Sequence, residues 1–143
     1  MKNMRFEVKA AFVMGVALPV LETIRRGTNF DNIPAYLDDF LIGAFLLFSA
    51  RAVVRGYSRG RVLLVAAWGV LCGGFYSSFF HQVSNTAPVD VSGYSNGFVI
   101  LVKGGLYLLA IAALVSSIRA AGMPNHSTQR TPDGDVDLEG PRP

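Results

Sequence analysis

The chain has 143 residues, 51% hydrophobic and 16% charged, with a formal net charge of +3. Soluble domains carry about 25% charged residues, and between positions 62 and 118 the only formally charged side chains here are Asp90 and Lys103. A water-facing helical domain needs a charged outer surface, so the composition argues against one; it argues equally against a nucleic-acid partner, because the Arg and Lys residues flank apolar segments instead of forming a basic patch.

Four stretches approach the 20 or so apolar residues that a spanning helix needs. The first covers residues 8–24 and contains Pro19 and Glu22. Pro19 removes one backbone hydrogen bond and predicts a kink. The basic residues Lys2, Arg5 and Lys9 ahead of it resemble the start of a secretory signal. However, Pro19 and the run Glu22-Thr23-Ile24-Arg25-Arg26 stand where a small-residue cleavage site belongs, so an uncleaved first helix is expected.

Residues 26–34 are rich in turn formers, with Asn32 and Pro34 suited to a cap and first turn. The second segment covers residues 35–54 and has a strictly apolar centre. A tight basic turn, RGYSRGR, follows. The third segment covers residues 62–83 and has no formal charge. It includes the single cysteine, Cys72, which lacks a partner at metal-ligand spacing and reads as a small hydrophobe. A polar loop, SNTAPVDVSGYSN, leads to the fourth segment at residues 97–118, interrupted by Lys103. Residues 120–143 hold Pro, Gly and charge with almost no large apolar side chain, the composition of a disordered tail. The segments lack the alternation of lipid-facing strands. The expected fold is therefore all-α: an up-down bundle of four transmembrane helices over residues 1–119, followed by the tail.

Basic residues predict its orientation. Ten of them (Lys2, Arg5, Lys9, Arg51, Arg55, Arg59, Arg61, Arg119, Arg130 and Arg142) fall on one side, and two (Arg25 and Arg26) on the other. This places both termini in the cytoplasm of a prokaryote, with the protein in its cytoplasmic (inner) membrane.

Ionisable side chains are costly inside a bilayer and mark candidate sites. In this topology Glu22, Asp38, Asp39, His81 and Lys103 fall in the outer third; Lys103 is about 9 Å below the surface at 1.5 Å per residue. Gly74, Ser78, His81 and Asn85 share one face of the third helix, expected to turn inward. Lys103 and Tyr107 are one turn apart on the fourth. Glu22, Asp38, Asp39, Ser78, His81, Lys103 and Tyr107 thus form a candidate outward-facing polar pocket. The ionisable ones also have structural readings: Asp38 and Asp39 complement a helix dipole, Glu22 pairs with Arg25, Lys103 snorkels, and His81 sits uncharged near the interface.

Small residues at Gly69 and Gly73, at Gly104 and Gly105, and at Ala110, Ala112 and Ala113 suit close helix approach, within the chain first and between copies second. Trp68, Tyr57 and Tyr94 suit the membrane interface. There is no catalytic, cofactor-binding or metal-binding motif, and no nucleophile–base pair. The expected partners are the lipid bilayer and either further copies or a larger membrane complex. The expected role is that of a non-enzymatic accessory or scaffold subunit. A small oligomeric transporter or channel built on the polar pocket is the alternative, and a membrane enzyme acting on a lipid or quinone a third.

Overall fold

A computed structural model describes residues 5–26, 33–90 and 93–122; the tail from 123 onward and the first inter-helix loop lie outside the described residues. Those residues form four helices and no strand: α1 (Phe6–Arg26), α2 (Ile33–Val54), α3 (Gly60–Ser84) and α4 (Asn96–Ala121). Each extends its expected segment by up to three residues. The end of α4 takes in Ala120 and Ala121, which composition alone assigns to the tail.

Successive helices run antiparallel. Gly15 lies against Leu47, and Pro19 against Gly43 one turn earlier on α2. Gly60 at the start of α3 meets Ala52 near the end of α2, and Gly104 meets Phe79. Glu7 at the start of α1 bonds Ser116 near the end of α4. The four helices thus close a ring, with α1 and α4 meeting least closely of the adjacent pairs.

The turn between α2 and α3 is built on Gly56, at φ 73°. Its N–H donates to the Val53 carbonyl at 3.0 Å, and that of Tyr57 donates to the Ala52 carbonyl at 3.0 Å. This pair of bonds is a Schellman motif, which satisfies two orphan carbonyls and requires the left-handed conformation glycine adopts freely. At the start of α3, Arg61 donates to the Ala120 carbonyl at 2.8 Å, satisfying an orphan at the end of α4. Helix α4 starts at Ser95, whose hydroxyl accepts from the Phe98 N–H at 3.4 Å. Helix α1 continues through Pro19 to Arg26.

The core follows a helical spacing on every element. Val8, Ala11, Met14 and Leu18 face Leu46 and Ala50, Leu64, Ala67, Trp68 and Leu71, and Ala110 and Ala113. Trp68 is fully buried. Its expected place at an interface is thereby corrected: the small side chains of α4 leave room for the indole inside. Its Nε1 has no hydrogen-bond partner among the described residues, and neither do the buried hydroxyls of Ser49 and Ser117.

A second correction concerns the Gly69–Gly73 pair. A Cβ on either would meet nothing within 4 Å, and the same holds for Gly105. Among the described residues, these glycines face away from the other helices. The close approaches use Gly15 with Gly43, Gly60, and Gly104 instead.

Helices α3 and α4 are long and apolar enough to cross a membrane, and only 22% and 17% of their most apolar stretches is buried within the chain. Most of those two stretches is therefore exposed on the surface of the described residues. Helices α1 and α2 interrupt their apolar runs with Glu7, Lys9 and Glu22, and with Asp38, Asp39 and Arg51.

Candidate functional site

The polar residues on α3 and α4 converge on Gln82, not on His81. The Gln82 side chain is 3% exposed. Its Nε2 donates to Asp90 Oδ1 at 3.0 Å and to Asn96 Oδ1 at 2.6 Å. Its Oε1 accepts from Lys103 Nζ at 2.9 Å. A primary amide is suited to this position because it offers two donors and an acceptor without a charge of its own.

The loop folds around this hub. Asn85 Oδ1 accepts from the Ala87 N–H at 3.0 Å, an Asx turn that starts the reversal. Val89 and Ser95 form an antiparallel bridge, and Gly93 turns the chain at φ 81°. The Asp90 N–H donates to the Tyr94 carbonyl at 2.9 Å, and the Asn96 N–H to the Pro88 carbonyl at 3.1 Å. Asn96 Nδ2 donates to the Asn85 carbonyl at 2.8 Å. Asp90, itself buried, brings a carboxylate to the same hub that holds the Lys103 ammonium. Opposite charges around one amide offset the cost of burying either alone.

Helix rotation explains why Gln82 holds this place. The buried side of α3 runs through Leu64, Ala67 and Leu71, with Phe75 partly buried behind them. Seven residues beyond Phe75 this stripe arrives at Gln82, while His81 stands about 100° away and is exposed. The expected inward face of Gly74, Ser78, His81 and Asn85 is corrected accordingly: Gly74 and His81 are exposed, and Ser78 and Asn85 are half-buried at the margin.

The other expected pocket residues are placed as follows. Tyr107 is half-buried and packs its ring against Phe79, with centroids 6.2 Å apart. Glu22 is buried on α1. Asp38 is exposed and Asp39 half-buried on α2. The Arg25 side chain, expected to pair with Glu22, lies outside the described residues. Among the described residues no three His, Cys, Asp or Glu side chains stand together as a metal-holding group.

Sequence reasoning passed over Gln82, Asp90 and Asn96. The signal available was Lys103: a cation in an otherwise apolar helix requires a buried acceptor within reach. The α3–α4 loop, with Asn85, Asp90 and Asn96, is the nearest source of acceptors along the chain.

At the opposite end of the molecule a cleft of about 630 Å³ opens between the start of α1 and the end of α4. Comparison of the chain with protein-family models, with curated proteins and with solved structures returns no match.

Proposed function

We propose that this chain is a polytopic protein of a prokaryotic cytoplasmic membrane, with all four helices spanning and both termini in the cytoplasm, and that it acts as a non-enzymatic accessory or scaffold subunit. Large apolar side chains point outward on every helix, including Val13 and Ile24 on α1, Leu41 and Phe48 on α2, Val62 and Val70 on α3, and Leu101 and Leu108 on α4. Water would penalise that surface by about 25 cal/mol for each Å², and lipid does not. At 1.5 Å per residue the four helices are about 32 to 39 Å long, enough for a hydrocarbon core of about 30 Å. The arginines at the α2–α3 turn, Arg5 ahead of α1 and Arg119 at the end of α4 fall at one end of the bundle, which supports this orientation.

The observation that carries the subunit reading is the open face at Gly69 and Gly73. In lipid, helix association relies on close backbone approach, and glycines four apart permit it. Lys103 and Asp90 are engaged with Gln82 in holding a loop, which favours a structural role for those charges over transport or catalysis.

Gentle extraction from native membranes followed by mass measurement tests the proposal. The expected product is an assembly larger than one chain, lost in Gly69→Leu/Gly73→Leu. A monomer, or an assembly indifferent to both substitutions, would count against the subunit role. Reporter fusions after Ser58 and after Gly93 test the topology; a cytoplasmic signal from the second would count against the orientation.

A further inference from the structure

The cleft between α1 and α4 is walled by Phe6, Ala112 and Val115, and two arginines, Arg5 and Arg119, stand on its lining. Both are exposed, and among the described residues neither guanidinium has an ion-pair or hydrogen-bond partner. The back of the cleft is a built polar site. Glu7 is 3% exposed, and its Oε2 accepts from Ser116 Oγ at 3.0 Å. The start of α1 adds the positive end of a helix dipole.

These features select an anionic amphiphile. Two arginines present N–H donors that fit phosphate oxygens. The apolar walls continue along α4 through Ala112 and offer a track for a hydrocarbon chain. A carboxylate accepts hydrogen bonds and donates none, so Glu7 repels a bare phosphate and accepts from a headgroup hydroxyl. Basic pockets between membrane helices on the cytoplasmic side are suited to anionic headgroups.

We infer that the α1–α4 cleft binds an anionic glycerophospholipid of the cytoplasmic leaflet, with its phosphate held by Arg5 and Arg119 and a headgroup hydroxyl donating to Glu7. The inference rests on the membrane reading above. It also gives the ring a lipid at its loosest seam.

The experiment uses the full chain. Membranes are first washed with alkaline carbonate; a chain that washes off overturns the membrane reading itself. The retained chain is then purified in detergent and titrated with dioleoyl phosphatidylglycerol or dioleoyl phosphatidylcholine, with bound lipid counted by native mass spectrometry. Phosphatidylglycerol is expected to bind in preference. At about 1 kcal/mol per arginine, Arg5→Gln or Arg119→Gln should weaken it about five-fold and the pair about thirty-fold. Arg51→Gln, an exposed residue of α2 outside the cleft, should leave it unchanged. Equal binding of the two lipids overturns the inference. So do undiminished binding in both single variants, the same loss in Arg51→Gln, or displacement of the lipid by inorganic phosphate.

Discussion

Gly15 and Gly43 stand where α1 and α2 come closest: a Cβ on Gly15 would lie 2.9 Å from the Gly43 carbonyl oxygen, and one on Gly43 would lie 2.7 Å from the Gly15 carbonyl oxygen. Pro19 takes part in the same junction. It has no N–H, so the Gly15 carbonyl lacks the donor that would normally lie four residues on. Only a hydrogen on Gly43 leaves room beside that open oxygen. Pro19 Cδ would lie 3.2 Å from a Cβ on Gly43, closing the contact from the other side.

Gly43→Ala is therefore expected to destabilise the protein by about 1 to 3 kcal/mol, the usual cost of overpacking. Gly69→Ala and Gly73→Ala, where a methyl meets open space, should leave the folded chain as stable or slightly more so, since alanine is the better helix former. Thermal unfolding of the detergent-purified variants checks the contrast. Equal losses at all three positions would mean that α3 packs as closely at Gly69 and Gly73 as α2 does at Gly43, and would contradict the open face.

Gln82→Leu removes the amide between Lys103, Asp90 and Asn96. Leaving buried polar groups without it is expected to cost about 1 to 3 kcal/mol or more. The α3–α4 loop should also become cleavable by protease at lower concentration. His81→Ala, an exposed change, should stay within about 0.5 kcal/mol of the parent. A greater loss from His81 than from Gln82 would reverse the assignment of the hub.

Trp68 is the sole tryptophan, and it is fully buried. Its emission is expected to be blue-shifted and poorly quenched by iodide, unlike that of an indole at a headgroup interface. Trp68→Ala should cost about 3 to 5 kcal/mol through the cavity it leaves. Ready quenching by iodide in the intact protein would contradict its place in the core.

Gly56→Val places a β-branched residue at φ 73°. A left-handed conformation costs a non-glycine residue about 1 to 2 kcal/mol, and branching adds to it. Gly56→Asn, which tolerates that region better, should recover part of the loss. Unfolding midpoints for the two variants check the order; equal midpoints would show that the Schellman turn rearranges freely.

The sequence by itself determined that there are four helices and nearly where each begins and ends. Apolar runs of helical length, broken by Pro, Gly, Asn and charge, mark them out. It did not determine which way each helix faces. Along α3 and α4 the side chains are apolar on nearly every side, so hydrophobicity offers no preferred face. Tertiary packing decided that by shape: Ala110 and Ala113 turned inward to admit Trp68, Gly104 took Phe79, and Gly69 and Gly73 were left outside. The same rotation decided the polar cluster. One residue along a helix is a turn of about 100°, enough to put His81 on the surface and Gln82 within bonding distance of Lys103.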